Sequence, residues 1–136
     1  MQGEIEISSS QRLEMIDINS KVEDIVKKSN IKQGLCNVFC CHATGAIAIN
    51  ENYDPDVCLD FNDALAKLIP QGKWRHDSVD GNADAHIKAA IVGPSETIPI
   101  KEGKLKLGTW QSIMFCEFDG PRSNRKIIIT IIEDKK

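Results

Sequence analysis

The chain has 136 residues, of which 41% are hydrophobic and 27% charged, and its formal net charge is -3. This composition is typical of globular proteins and argues against a disordered chain. The charge provides no basic surface for nucleic acid, and no apolar run approaches the ~20 residues needed to span a membrane. We therefore expect neither nucleic acid nor membrane as a partner, and one compact domain over residues 1–136.

The cysteines and the N-terminus predict where the protein works. Five cysteines are an odd number, and the chain is longer than most disulfide scaffolds. The opening MQGEIEISSS lacks the basic and apolar regions of a secretory signal. We therefore expect reduced thiols and a cytoplasmic location.

The first third of the chain predicts two strands, a helix and a buried strand. Apolar alternation at Ile5 and Ile7, and again over residues 13–18, predicts strands on either side of a serine turn. Ser20 and Glu23 have the spacing of a capping box, which predicts a helix of about ten residues beginning there. Its inward side chains would be Val22, Ile25 and Val26. The segment GLCNVFC from Gly34 predicts a buried strand.

Two further helices are indicated. Asp54 and Pro55 are a typical N-cap and first helical residue, and Pro70 ends that helix. Its apolar side chains recur at helical spacing at Val57, Phe61, Leu65 and Leu68. Residues 82–92 predict a short third helix, with Ala83, Ile87, Ala90 and Ile91 on its inward side.

The last third predicts strands over residues 97–100, 105–107, 109–118 and 126–132. The run IIITII in the last of these is apolar on both faces, which predicts a central position in its sheet. The fold class expected is therefore α+β: a single compact domain with mixed, mostly antiparallel β-sheet structure and about three helices.

The three histidines, His42, His76 and His86, are the candidate metal ligands. Three imidazoles from separate segments could form an open zinc-type site, with Glu51, Asp80 and Asp84 orienting them. The alternative is that the histidines are unrelated, because no HExxH or paired CxxC motif is present. Spacing alone leaves both interpretations open.

Two segments place polar side chains on one face of a predicted strand. Counting by twos from His42 gives a small and polar face, with Ile47 and Ile49 on the other side; its members are Thr44, Ala46, Ala48 and Asn50. The same count over residues 109–119 separates a polar set from an apolar one; the polar set is Thr109, Gln111, Glu117 and Asp119. Arg122 follows on a predicted tight turn, where a guanidinium could bind phosphate or carboxylate in a forked geometry.

The cysteines near His42 have two interpretations. Cys36, Cys40 and His42 would share a strand face and could share a metal, whereas Cys41 would point away. The absence of a CxxC motif and the frequent burial of cysteine favour core packing instead. Cys58 inside its helix is expected to pack as well.

Four blocks of sequence resemble one family. They are HATGAIAINENYDPDV (42–57), HDSVDGNADAHIKAAIVG (76–93), SETIPIKEGKLKLGTWQSI (95–113) and FCEFDGPR (115–122). These blocks make the chain similar to the YjbQ family, and the similarity extends from about Gly34 to the end of the chain. The resemblance implies an α+β domain, usually a homotrimer, with a proposed metal site lined by the family's histidines. Ala43 and Gly45 depart from the HTT-like stretch expected after His42, which affects one local hydrogen bond.

The activity that the resemblance implies is thiamine-phosphate synthesis, in which a pyrimidine pyrophosphate and a thiazole phosphate are joined and pyrophosphate is released. The metal ligands would be His42, His76 and His86, with a zinc-type ion favoured by three imidazoles and magnesium expected for pyrophosphate chemistry. The substrate-binding residues would be Lys88, Arg122, Asn82, Gln111 and Asn50. The catalytic residues would be Glu117, Asp84 and Arg122. The alternatives are a non-catalytic metal- or metabolite-binding protein and a metal-dependent hydrolase.

Overall fold

The computed structural model describes residues 1–135, which form three α-helices, one short 3₁₀ helix and eight strands. The helices are α1 (Asn19–Ser29), α2 (Pro55–Leu68) and α3 (Ala83–Val92), and the 3₁₀ helix is Arg75–Ser78. The strands are β1 (Gln2–Ile7), β2 (Glu14–Asp17), β3 (Gln33–Cys40), β4 (Gly45–Asn50), β5 (Ser95–Lys101), β6 (Lys104–Leu105), β7 (Ser112–Glu117) and β8 (Arg125–Glu133). The predicted α+β class is confirmed. Within residues 1–135, no helix is long and apolar enough to cross a membrane.

The strands form two antiparallel sheets. One has five strands in the order β1-β8-β3-β5-β6, and the other has three in the order β2-β7-β4. The central position predicted for the last strand is confirmed, because β8 lies between β1 and β3. Only one of its faces is fully buried, however: Ile127, Ile129 and Ile131 point into the core, whereas Ile132 is 62% exposed.

Each face of the three-stranded sheet packs against a different partner. Ile47, Ile113 and Phe115 join the main core, which also contains the inner face of the five-stranded sheet and Val22 and Val26 of α1. The opposite face forms a second core with α3 and, at its margin, α2; its buried members are Ala46, Ala85, Ala89, Cys116 and Phe118. The three-stranded sheet is therefore the middle layer of the domain.

The prediction for the start of α2 is confirmed, and that for α1 is wrong in detail. Asp54 accepts a hydrogen bond from the Asp56 N–H (2.9 Å), and Pro55 opens α2. The Ser20 and Glu23 capping box does not form, because α1 already begins at Asn19 and Ile18 occupies the N-cap position without a side-chain cap. Ile18 is fully buried and its N–H donates to Ile113 O (3.0 Å). These contacts hold Ile18 at the N-cap position, so α1 begins earlier than the sequence predicts.

The predicted inward face of α3 is right at Ala83, which is buried, but wrong at Ala90 and Ile91. Ile91 is 66% exposed and Ala90 is exposed as well, whereas Asp84 and Lys88 are buried beside Ala85 and Ala89. Asp84 and Lys88 lie one helical turn apart and form an ion pair (3.1 Å), so their charges compensate each other inside the protein. Small alanines then let α3 pack closely on β4.

Two further details differ from the sequence pattern. Leu68 of α2 is 76% exposed and α2 has no fully buried residue. The other three side chains predicted to point inward, Val57, Phe61 and Leu65, are half-buried. His42 is not part of a strand, since β3 ends at Cys40 and β4 begins at Gly45. The face of Ala46 and Ala48 does exist: Ala46 is buried in the second core, whereas Ala48 is half-buried at its margin and lines a cavity of about 230 Å³ together with Asn50.

Candidate functional site

Eight polar side chains converge where β7 ends, β8 begins and α3 starts. The register pairs Gly45 with Glu117, which fixes this end of the three-stranded sheet. The chain between β1 and β2 closes over it, because Ser9 N donates to Arg122 O (2.8 Å) and Gly120 N to Arg12 O (3.0 Å). We name this group the arginine cluster; it consists of Arg12, Asn82, Asp84, Lys88, Glu117, Asp119, Arg122 and Arg125.

Glu117 and Arg125 form the buried base of the arginine cluster. Both Arg125 Nε and Nη2 donate to the Glu117 carboxylate, and Ser9 Oγ donates to the same group (2.6 Å). Arg125 Nη2 also donates to Thr44 Oγ1 (2.9 Å). Burial raises the pKa of Glu117, but the hydrogen bonds from Arg125 and Ser9 outweigh it and the net pKa is lowered. Glu117 is therefore an ionised carboxylate held by structural contacts, which fits poorly with the catalytic role predicted for it.

Asp84 is the second buried carboxylate of the arginine cluster. It accepts from Arg12 Nη2 (2.9 Å) and Lys88 Nζ (3.1 Å), and its side chain is 2% exposed. Burial raises the pKa of Asp84, but the hydrogen bonds from Arg12 and Lys88 lower it further than burial raises it. Asp84 therefore positions Arg12, and Lys88 is held by Asp84 away from solvent.

Asp119 joins the exposed edge of the arginine cluster. It accepts from Arg122 Nη2 (2.8 Å) and Asn82 Nδ2 (2.8 Å), and Arg12 Nη1 lies 3.9 Å away. The side chain of Arg122 is 51% exposed and that of Arg12 is 30% exposed. The arginine cluster contains four cations and three carboxylates, so one positive charge is in excess. Two guanidiniums thus present N–H groups to solvent at a net positive surface.

Asn82 has an unused acceptor beside this surface. Its Nδ2 is held by Asp119, which fixes the amide orientation, and its buried Oδ1 has no hydrogen-bond partner. Asn82 does not cap α3, since Asp77 Oδ1 accepts from Ala83 N (3.0 Å) in its place. A buried amide oxygen that accepts no hydrogen bond is uncommon. Such an oxygen is typical of a position where a ligand or a water molecule donates the hydrogen bond.

The structure brings two of the three predicted metal ligands together. The rings of His76 and His86 meet edge to face with centroids 4.9 Å apart, and His76 Nε2 lies 3.6 Å from Asp80. His42 is not with them: its Nε2 accepts from Lys126 N (2.8 Å), and burial, with the nearby Arg125, lowers its pKa. Across residues 1–135, no three His, Cys, Asp or Glu side chains are arranged to hold a metal ion. The predicted three-histidine set is therefore not assembled within one chain.

Asn50 and Gln111 lie at the opposite end of the three-stranded sheet. The register pairs Asn50 with Ser112, five residues along β4 from Gly45, which corresponds to about 17 Å of strand. Gln111 Oε1 accepts from Gly108 N (2.8 Å) at that end. These two predicted substrate-binding residues cannot contact the same small molecule as Arg122 in one chain. Glu51, a predicted orienting carboxylate, instead accepts from Asp54 N at the start of α2.

The core packing expected for the cysteines near His42 holds for Cys36 and Cys40 but is wrong for Cys41. Cys36 and Cys40 are buried in β3, whereas Cys41 is exposed. Burial raises the pKa of the Cys36 thiol to about 11 and also raises that of Cys40, whose Sγ lies 3.6 Å from His42 O as a weak donor. Cys36 and Cys40 therefore stay protonated near neutral pH.

Sequence reasoning missed Ser9, Arg12 and Arg125, whereas it placed Thr44 on the polar face predicted after His42. Ser9 and Arg12 contact partners more than 70 positions away, and no local spacing signals such contacts. Asp119 and Arg122, by contrast, lie three positions apart in the DGPR turn; the strand pattern indicated Asp119 and the predicted turn indicated Arg122.

The comparisons with known proteins agree with one another. The family model described as UPF0047 protein YjbQ-like matches residues 3–134. The chain is 45% identical over 130 residues to a UPF0047 protein of Methanocaldococcus jannaschii, covering 96% of this chain and 93% of that protein. It is 42% identical over 122 residues to UPF0047 protein YugU of Bacillus subtilis, covering 88% of this chain and 90% of that protein.

Solved structures show the same fold. A YbjQ-like protein of unknown function from Sulfolobus solfataricus P2 superposes with a TM-score of 0.95 at 38% identity, covering 98% of this chain and 97% of that one. A YjbQ/UPF0047 family protein from Clostridium acetobutylicum gives a TM-score of 0.91 at 47% identity, covering 96% and 99%. The chain therefore belongs to the YjbQ (UPF0047) family.

Proposed function

We propose that the protein is an enzyme that acts on a small phosphorylated metabolite, which it binds at the arginine cluster. One observation carries the proposal: Asp84 and Asp119 hold Arg12 and Arg122 from behind, while the side chain of Arg122 is exposed and that of Arg12 is partly exposed. Guanidiniums fixed in this way bind phosphate through two parallel N–H donors. The arginine cluster has one more positive charge than negative charges, and this net charge favours an anionic ligand.

The named candidate reaction is thiamine-phosphate synthesis. In that reaction a new bond joins the pyrimidine and thiazole moieties, and pyrophosphate leaves with the electrons of the broken C–O bond. Arg12 and Arg122 would stabilise the negative charge that develops on the leaving pyrophosphate. The unpartnered Oδ1 of Asn82 would accept a hydrogen bond from the substrate. Asp84, Lys88, Glu117 and Arg125 would keep these groups in place.

Metal dependence stays a prediction of the family resemblance. His76 and His86 provide two adjacent imidazoles, but His42 directs its Nε2 to a backbone N–H, so the three-imidazole set does not fit a single chain. Elemental analysis of protein purified without an affinity tag, compared with His86→Ala, tests whether zinc or magnesium is bound.

We also propose a homotrimer in the cytoplasm. In support of the trimer, Asn50 and Gln111 lie about 17 Å along the sheet from the arginine cluster and could join it only from a neighbouring copy. In support of the location, all five cysteines are free thiols and Cys41 is exposed. Sedimentation equilibrium gives the mass of the assembly, and a monomer at micromolar concentration would contradict the trimer.

Two measurements test the phosphate site and the activity separately. Calorimetric titration with pyrophosphate should show binding that Arg122→Gln weakens about tenfold, since a charge-assisted hydrogen bond is lost. Lys21→Gln removes an exposed positive charge on α1 and should leave the affinity unchanged. Equal losses in both variants would show a non-specific charge effect.

The synthase assay combines the two thiamine precursors with added magnesium or zinc and follows thiamine phosphate and pyrophosphate. Product formed no faster than by Arg122→Ala would reject synthase activity. Pyrophosphate binding without any turnover would instead support the metabolite-binding alternative. Release of inorganic phosphate from a single precursor would support the hydrolase alternative.

A further inference from the structure

We propose that a soft monovalent cation, copper(I), binds to three sulfur atoms between α2 and the three-stranded sheet. We call this the sulfur site; its ligands are Cys58 of α2, Met114 of β7 and Met15 of β2. All three side chains line the cavity of about 230 Å³ beside Ala48. The inference goes beyond the proposed function, because the sulfur site shares no residue with the arginine cluster or the three histidines and requires no phosphate.

The fold brings the three sulfur-containing side chains to one face of the sheet. Met15 packs against the second core, and the register pairs it with Cys116 of β7. Met114 lies two residues before Cys116 on the same strand, so it points to the same face and is a diagonal neighbour of Met15. The helix α2 then places Cys58 over this face, with its Sγ 3.5 Å from Met114 Sδ.

The thiol of Cys58 supplies the one anionic ligand. It is half-buried at the cavity, and its Sγ lies 3.5 Å from Asn52 Oδ1 as well as from Met114. Burial, together with the nearby Asp17 carboxylate, raises the pKa of Cys58, so the metal-free protein holds it as a thiol. Binding breaks the S–H bond, the sulfur uses that electron pair to bind copper(I), and the proton goes to solvent.

The ligand types select copper(I) over zinc. Thiolate and thioether sulfurs are soft ligands that copper(I) prefers, whereas zinc takes thiolate, imidazole and carboxylate. Within residues 1–135, no histidine lines this cavity. A thiolate and a monovalent ion also neutralise each other, which lowers the cost of burying them.

Only a small movement is needed to admit the ion. With metal–sulfur bonds of about 2.3 Å, two sulfurs of a trigonal site lie about 4 Å apart. Cys58 Sγ and Met114 Sδ are 3.5 Å apart, so they must separate by about 0.5 Å. The long, unbranched methionine side chain adapts readily, and α2 has no fully buried residue to resist the shift.

Nuclear magnetic resonance of the methionine methyl groups tests the proposal on the unaltered chain. The chain has three methionines, and Met1 is 55% exposed at the start of the five-stranded sheet, so it is an internal control. Silver(I), which mimics copper(I) without redox chemistry, is added to protein labelled at the methionine methyls. One equivalent should shift the resonances of Met15 and Met114 and leave that of Met1 in place. No shift, or a shift of Met1 alone, would overturn the proposal.

Competition with the copper(I) chelator bicinchoninate, without oxygen, measures the affinity. The parent protein is Cys41→Ser, because the exposed thiol of Cys41 could bind copper by itself. In that background Cys58→Ser should weaken copper(I) binding about a hundredfold, and the volume-conserving Met114→Leu about fivefold or more. Unchanged affinity in folded Cys58→Ser, or tighter binding of zinc than of copper(I), would reject the site. Arg122→Gln should leave copper(I) binding intact, so failure of the sulfur site and failure of the phosphate site are distinguishable.

Discussion

Glu117 on β7 and Arg125 on β8 form a buried ion pair that ties the three-stranded sheet to the five-stranded sheet. Their side chains are 0% and 5% exposed, and two guanidinium nitrogens contact the carboxylate. Removing one partner leaves the other charge buried and unpaired. We expect Glu117→Gln to lower the free energy of unfolding by about 3 kcal/mol, measured by urea denaturation.

The matched control is the exposed pair Glu4 and Lys126. Their charged atoms are 3.9 Å apart and both side chains are about half exposed. Solvent and salt screen such a pair, so Glu4→Gln should change the free energy of unfolding by no more than about 0.5 kcal/mol. Similar losses in Glu4→Gln and Glu117→Gln would contradict a special role for the buried pair.

Acid titration provides an independent test of Glu117. Its pKa in the folded protein lies below the ordinary value of 4.5, so the ionised form is stabilised by folding. This contribution is fully present above pH 4.5 and is lost as the pH falls through the lowered pKa. The stability of the wild type should therefore decline more steeply below pH 4.5 than that of Glu117→Gln. Parallel pH profiles would show that another carboxylate controls acid unfolding.

Gly34 in β3 is predicted to tolerate no side chain. A Cβ there would lie 2.1 Å from Ile132 O on the neighbouring strand β8, so the backbone would have to shift. We expect Gly34→Ala to cost about 3 kcal/mol of unfolding free energy or more. At Gly72 nothing lies within 4 Å and only φ of +85° opposes a side chain, so Gly72→Ala should cost about 1 kcal/mol. A smaller loss in Gly34→Ala than in Gly72→Ala would be inconsistent with the packing.

The elements that sequence predicted well are those set by local chemistry. The start of α2 depends on Asp54 and Pro55, which act on their immediate neighbours, and it was confirmed. The central place of β8 followed from its apolar run. By contrast, the inward face of α3 was assigned from hydrophobicity alone. Hydrophobicity misassigns the face that carries Asp84 and Lys88, because two charged residues one turn apart look like an exposed face in the sequence. In the fold they are buried together as an ion pair.

The arginine cluster was predictable only in part. Asn82, Asp84, Lys88, Glu117 and Arg122 were all singled out, and the structure joins them through Asp119 and Arg12. Arg12 itself lies in a connection between strands of different sheets, and its contact with Asp84 depends on the complete tertiary fold. Within one chain Asn50 and Gln111 lie apart from the other predicted site residues for the same reason, because the register of β4 and β7 sets their separation.

The five thiols should differ in reactivity according to their burial. Cys41 is exposed and Cys58 is half-buried, whereas Cys36, Cys40 and Cys116 are buried. Burial raises the pKa of Cys36 to about 11 and that of Cys116 still further, so neither forms the reactive thiolate near neutral pH. With iodoacetamide at pH 8, mass spectrometry should show Cys41 alkylated first and Cys58 more slowly. The three buried cysteines should react only in urea, and Cys41→Ser should abolish the fast phase. Fast alkylation of Cys40 in the native protein would show that its strand opens beside His42.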